Sequence, residues 1–254
     1  MTTYQIKEET ALACVGHPYY QKQVLEAWGY IELDEPLLKR RHAIEASVSR
    51  GECFWNIHVA LAFLARTLQP KSYLEIGTRT GGSLCQVLLN SRVDRFVSVD
   101  LWNGGYASLS NTLEYTKEQI DRLCRLSGRQ IVGAFVQGDS HNTLKSSPYL
   151  KRRFPLITVD GDHSAEGAWE DLTDVVPLLE DAGAIVFDDI IHPSHKDLLD
   201  VVRRFVGEFP EFSVVLNTTQ DNGCAIFTRN IRLEALFPSN PGLRASVERS
   251  PCVG

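Results

Sequence analysis

The sequence predicts an α/β fold: a doubly wound, mainly parallel seven-stranded sheet with a C-terminal antiparallel hairpin and a helical N-terminal extension. Three observations predict it. From residue 72 onward, short apolar runs alternate with helical patterns, as they do where a parallel sheet is covered on both faces. Those runs are apolar without strict alternation, which suits strands buried on both sides. The last two runs are joined by a short polar link (NTTQDNG, 217–223), which favours an antiparallel pair over a parallel crossover.

The elements follow in chain order. Residues 1–50, with Trp28, Tyr30 and Pro36, are mixed in polarity without a clear period and read as a lid or N-terminal extension. Phe54, Ile57, Leu61, Leu64 and Leu68 recur at helical spacing and mark an amphipathic helix that ends before Pro70, so the extension covers residues 1–70. Residues 72–76 (SYLEI) are β-prone and stop at Gly77; a helix over 82–89 follows. A strand over 96–99 ends in Asp100, and 112–126 reads as a helix. The strand over 131–136 stops before Gly138 and Asp139, and the one over 156–159 ends in Asp160. Residues 166–179 read as a helix whose last turn Pro177 should disturb. A strand over 184–187 runs into Asp188 and Asp189, and Leu198, Val201, Val202 and Phe205 share one helix face. Residues 212–216 and 224–227 form the terminal hairpin. The chain is read as one domain, with a core over 71–229 and a tail over 230–254.

The totals exclude several function classes. A hydrophobic content of 43% with 23% charged residues fits a globular chain with one sizeable core. The formal net charge of -6 argues against a nucleic-acid partner. The basic triplets Lys39-Arg40-Arg41 and Lys151-Arg152-Arg153 read as solvated patches. No apolar run approaches the ~20 residues of a membrane span, and the start, MTTYQIKEETA, lacks the features of a signal peptide. The six cysteines contain no C-x-x-C pair, so the expectation is a cytoplasmic protein with reduced thiols. Homo-oligomerisation is left open.

Ligands of such sheets bind beyond the carboxyl ends of the strands, where the strand order reverses. Four strand ends here carry acids: Glu75, Asp100, Asp160 and the pair Asp188-Asp189. The first belongs to Glu75-Ile-Gly77-Thr-Arg79-Thr-Gly81-Gly82, a turn in which Gly77 and Gly81 let the backbone approach a ligand and the next helix aims free N–H groups at it. Arg79 holds the middle place, so the turn is not G-x-G-x-x-G. Asp100, about twenty residues on, is placed to accept both hydroxyls of a ribose. The acids further along have their own logic. Neighbouring parallel strands lie ~4.8 Å apart, so if the strands ending in Asp160 and Asp188 are neighbours, the two acids reach one divalent ion, with Asp189 adding a third oxygen. Hard oxygen ligands suit Mg²⁺ or Ca²⁺, and uncompensated carboxylates at one point would repel and partly protonate. The competing reading makes these acids turn and capping residues.

EIGTRTGGS, the acid in VSVDLW, the QGDS and VDGDHS segments and the final VFDD together resemble class I S-adenosylmethionine-dependent methyltransferases of the Rossmann-like fold. The likeness covers about residues 72–228. It is narrowest to a bacterial group that includes macrolide-sugar O-methyltransferases, with catechol O-methyltransferase more distant. The resemblance implies that Glu75, Gly77 and Gly81 sit with the methionine moiety, that Asp100 holds the ribose, and that Asp139 and Ser140 flank the adenine. It implies an ion on Asp160, Asp188 and Asp189. In catechol-type relatives a lysine base stands three places after the equivalent of Asp160; here that place is His163, suited to neutral pH.

The expected function is O-methylation of a small molecule with adjacent oxygens, such as a sugar, polyol or catechol, with a divalent ion (Mg²⁺ or another) acidifying the hydroxyl and His163 taking its proton. His192 and His195 read as exposed turn residues. His17, Tyr19 and Tyr20 read as packed helix or turn residues, with cover of a substrate pocket as the alternative. Residues 102–113, with Asn103, Gly104, Gly105 and Tyr106, read as a mobile lid, with Trp102 either near the adenine or in the core. Two rivals stand: a nicotinamide-dependent oxidoreductase, which calls for a G-x-G-x-x-G turn and a Tyr-x-x-x-Lys pair, and a non-catalytic nucleotide-binding protein.

Overall fold

The computed structural model describes residues 8–103 and 112–231. The lid expected from Gly104 onward, with Gly105 and Tyr106, and nearly all of the tail over 230–254 lie outside the described residues. Four helices come first: α1 (Glu8–Val15), α2 (Pro18–Ala27), α3 (Glu35–Arg50) and α4 (Ile57–Leu68). The alternating part follows as β1 (Ser72–Ile76), α5 (Leu84–Asn90), β2 (Arg95–Asp100), α6 (Leu113–Ser127), β3 (Val132–Gln137), α7 (Ser140–Ser146), β4 (Phe154–Val159), α8 (Ala165–Val175), β5 (Leu179–Asp188), α9 (Leu198–Glu208), β6 (Phe212–Asn217) and β7 (Cys224–Arg229).

The seven strands form one sheet in the order β3-β2-β1-β4-β5-β7-β6. The first five are parallel; β7 runs antiparallel to both β5 and β6, as the short link predicts. The order reverses between β1 and β4, so both strands open onto one crevice at their carboxyl ends. Strand β1 is buried from Tyr73 to Ile76, whereas β3 is a half-exposed edge, with Val132 76% exposed. The expectation of burial on both faces therefore holds for the central strands and fails at this edge.

Helix ends follow their capping residues. Asn56 accepts from the backbone N–H of His58 and Val59 at the start of α4, and Thr112 caps α6 in the same way. Pro177 ends α8 early: a short 3₁₀ turn over Val176–Leu178 replaces the expected last helical turn, and Leu179 already belongs to β5.

The extension is built into the core. Val24, Trp28 and Ile44 are almost wholly buried and pack in one apolar cluster with α4, α5 and one face of the sheet. The Trp28 indole N–H donates to the Gly82 carbonyl at 3.1 Å. Helices α8 and α9 cover the opposite face. The expectation of six reduced thiols does not hold: Cys14, Cys85, Cys124 and Cys224 are free, but Cys53 is disulfide-bonded. Among the described residues no helix is long and apolar enough to cross a membrane.

Candidate active site

The turn after β1 is fixed by backbone chemistry. Gly77 has φ 81°, and a Cβ there would fall 1.7 Å from the Asp160 carbonyl oxygen, so only glycine lets β1 leave the sheet beside β4. Arg79 has φ 50°, a left-handed conformation costly for a residue with a Cβ. Its surroundings hold it there. The Arg79 N–H donates to Asp100 Oδ2 at 2.7 Å, and the Arg79 carbonyl accepts from the Trp102 indole N–H at 3.0 Å and from the Thr116 hydroxyl. The guanidinium is ion-paired with Asp34, the N-cap of α3. The missing middle glycine is thus replaced by an arginine that ties the turn to the extension.

Asp100 closes β2 with both oxygens engaged by this turn: Oδ1 accepts from the Trp102 N–H at 2.7 Å and Oδ2 from Arg79. Burial raises its pKa, against the two backbone N–H groups, which lower it. Asp139 caps α7 by accepting from the Asn142 N–H at 3.2 Å, and Ser140 opens that helix. Glu75 is wholly buried. It accepts from the Ser83 hydroxyl, and burial pushes its pKa up to about 8. Gly81 (φ 87°) faces Ile120 and Thr116. Both Glu75 and Gly81 therefore stand behind the turn, outside the cavity wall.

That wall encloses about 550 Å³ and joins two halves. Gly77, Asp100, Asp139 and Ser140 line one; Asp160, His163, Asp188 and Asp189 line the other. Strands β4 and β5 are paired neighbours, with Val159 opposite Phe187, so Asp160 and Asp188 emerge side by side as predicted. Asp188 and Asp189 are 5% and 7% exposed, and the Asp189 carbonyl accepts from the His192 N–H in the turn that follows. Asp189 has φ 61° and accepts from the Asn222 side-chain N–H at 2.9 Å. Burial, then Asp189 and Asp160, drive the Asp188 carboxyl well above the usual range; burial and Asp160 raise Asp189 as well.

Two cationic groups face these acids. His163 Nε2 lies 3.3 Å from Asp160 Oδ1 and 3.4 Å from Asp189 Oδ2. Burial alone would lower its pKa, but the hydrogen bond to Asp160 and the charges of Asp160, Asp189 and Asp162 outweigh it, so the imidazole titrates above its ordinary value. The second is Arg40 of α3, whose Nε donates to Asp221 at 3.3 Å and which feels Asp188, Asp160 and Asp189. Here the sequence reading needs correction. Lys39 and Arg41 do pair along the helix surface with Glu35 and Glu45, but Arg40 points into the cavity wall. Asn222 and Pro36 also line the cavity and were not singled out; none of the three belongs to a motif, and only the packing of α3 and the β6–β7 turn brings them in.

The remaining candidates sort plainly. His192 lines the cavity, and His195 stacks between His192 and His163 at ring-centroid distances of 4.5 and 4.4 Å. Trp102 is 4% exposed and braces the turn behind Asp100. His17 caps α2, Tyr20 packs edge-on against Phe63, and Tyr19 lies under Arg66, so these three serve packing.

Residues 74–190 match the family model described as a methyltransferase domain. No curated protein sequence matches the chain. Among solved structures, an O-methyltransferase from Bacillus cereus in complex with SAH is 16% identical, covers 84% of this chain and 99% of its own, and superposes with a TM-score of 0.55. The O-methyltransferase TomG from Streptomyces achromogenes, involved in tomaymycin synthesis and solved in complex with SAM, gives 20%, 82%, 95% and 0.52. The SAH-bound methyltransferase PaMTH1 of Podospora anserina gives 16%, 91%, 100% and 0.51. At these identities the superpositions establish the fold.

Proposed function

Proceeding from a methyltransferase domain over residues 74–190, we propose that the protein transfers the methyl group of S-adenosylmethionine to a hydroxyl of a small molecule, in a divalent-metal-dependent reaction. The observation that carries this reading is one cavity lined both by the Gly77–Asp100 turn and by the acid cluster Asp160, Asp188 and Asp189.

The residues present fit both groups. Asp100 is fixed by two backbone N–H bonds and borders the cavity, so a ribose diol finds a preorganised acceptor. Asp139 and Ser140 border the far end, where the adenine would lie. For a divalent ion, Asp188 and Asp189, whose pKa values are raised by burial first and then by neighbouring acids, Asp160 in both cases, form with Asp160 a hard-oxygen donor set. When bound, such an ion supplies acidity to a coordinated hydroxyl. Asp160, Asp188 and Asp189 would hold it, and Asn222 keeps Asp189 oriented. His163 accepts the hydroxyl proton on Nε2, the nitrogen facing Asp160, which then stabilises the imidazolium. Arg40 and Pro36 line the cavity from α3.

The acceptor is a molecule with adjacent oxygens, of the sugar, polyol or catechol kind, since such a diol would supply oxygen ligands beside those of Asp160, Asp188 and Asp189 if the ion were bound. Nucleic acid and membrane are not partners in this reading, and the reaction belongs to the cytoplasm. The test is mass spectrometry of a panel of diols incubated with S-adenosylmethionine on metal-stripped protein, with and without Mg²⁺. A mass gain of one methylene that appears only with the ion is expected. Equal turnover at saturating chelator eliminates the metal, and no methylated product across the panel removes the acceptor class.

A further inference from the structure

The loops after β4 and β5 bring together a second donor set, which adds His195 to two residues that the O-methylation reading already uses. His163, Asp189 and His195 each offer one ligand atom, and the three atoms lie within 4.8 Å of one another. Two of them are nitrogens. The set differs in chemistry from the all-oxygen group of Asp160, Asp188 and Asp189, with which it shares only Asp189.

Its members are held in place from several sides. Asp189 is fixed by its left-handed backbone and by the amide of Asn222. Its carbonyl accepts from the His192 N–H at 3.0 Å, and the His192 carbonyl accepts from the His195 N–H at 3.0 Å, so two successive tight turns carry His195 back over the site. The His195 ring is stacked between His163, at an interplanar angle of 17°, and His192, at 27°. Donor atoms around one ion of the zinc class lie about 3–3.5 Å apart, from metal–nitrogen distances of ~2.0–2.1 Å. His163 Nε2 and Asp189 Oδ2 already stand 3.4 Å apart; the half-exposed His195 ring has to turn out of its stack on His163 before its in-plane lone pair can reach the same ion.

We propose that His163, Asp189 and His195 form a mixed nitrogen–oxygen seat for a divalent transition ion of the zinc, cobalt and nickel class, and that its occupancy stops methyl transfer. The chemistry selects the ion. Two imidazoles and one carboxylate favour later first-row metals in the Irving–Williams order, and Mg²⁺ shuns imidazole. Occupancy stops the reaction because coordination takes the Nε2 lone pair that would receive the hydroxyl proton and one oxygen of the carboxylate seat. The inhibitory clause rests on the proposed O-methylation; the seat itself does not.

The experiment is a Co²⁺ titration of the metal-stripped full chain, read by visible absorption, with His195→Ala as the variant. His195 lies outside the cavity wall but stacks on His163, so inhibition of each protein is read relative to its own uninhibited Mg²⁺-supported turnover. Wild type is expected to bind one Co²⁺ with visible bands that millimolar Mg²⁺ does not abolish, and His195→Ala to bind it at least about tenfold more weakly. No bands in wild type, or the same bands and affinity in the variant, overturns the seat. In the activity arm, Zn²⁺ inhibits wild type at a concentration at least about tenfold below that needed for His195→Ala; equal sensitivity overturns the inhibitory role. If neither protein methylates any acceptor, the O-methylation reading fails, while the Co²⁺ spectra still decide the seat.

Discussion

The carboxylate of Asp34 both caps helix α3 and pairs with the guanidinium of Arg79, so one side chain connects the N-terminal extension to the turn beside Asp100. Asp34 is 6% and Arg79 18% exposed, which places the pair where loss of one partner leaves a poorly solvated charge. Asp34→Asn keeps the cap and removes the charge. The expected result is a loss of about 2–3 kcal/mol in urea unfolding, below the ~3–5 kcal/mol of a fully buried pair, with weaker S-adenosylmethionine binding as the Arg79 backbone loosens. An unchanged unfolding midpoint would remove the coupling.

Asp100→Ala removes a carboxylate that the turn has already oriented. A charge-assisted hydrogen bond contributes ~1.5–3 kcal/mol, so S-adenosylmethionine affinity should fall by about one to two orders of magnitude in calorimetry. Native far-ultraviolet circular dichroism with unaltered affinity would exclude Asp100 from ribose binding.

A base must be neutral to accept a proton. Because the net effect of Asp160, Asp189 and Asp162 raises the His163 pKa, its imidazole should titrate above the ordinary histidine value of ~6.5 in nuclear magnetic resonance of the metal-stripped chain. Added Mg²⁺ should shift that titration downward. His163→Ala should lower turnover by ~10²–10⁴-fold while leaving cofactor affinity intact. Full turnover by this variant, with chemistry rate-limiting, contradicts the assignment.

Glu75 predicts a stability signature. Burial lifts its pKa to about 8 in the folded chain from an ordinary value of 4.5. Between those two values the folded state holds a proton that the unfolded state releases, so stability declines as pH rises through this window and levels off above it. At about 1.4 kcal/mol per pH unit, the decline amounts to a few kcal/mol. Glu75→Gln cannot ionise and should flatten the curve, so its advantage over wild type grows from pH 5 to pH 8. Parallel stability–pH curves for the two proteins would show that Glu75 does not titrate there.

The sheet was legible because its strands are short apolar runs punctuated by Gly and Asp, and the residues at their ends follow from strand direction alone. Asp100, Asp160, Asp188 and Asp189 are therefore found from sequence and stand together in one cavity wall. Helix α7 was missed because SHNTLKS has no apolar period; its start is set by the Asp139 cap. Helices α1 to α3 were expected as a helical extension but without bounds: their apolar residues face several elements at once, so no single stripe emerges. Arg40 shows the deeper limit. Between Lys39 and Arg41 its letter is that of a solvated patch, and only contact with Asp221, 181 residues away, turns it inward.

The β6–β7 turn also sets an order of events. Asp221 receives Arg40 and Asn56 from the extension, while the next residue, Asn222, orients Asp189. A nascent chain that has emerged only as far as β5 carries every acid of the cluster but lacks the amide that aims one of them and the anchor that seats Arg40. The last hairpin thus completes the acid cluster, and a ribosome-stalled chain ending before residue 221 should collapse around its early strands without fixing the Asp189 carboxylate.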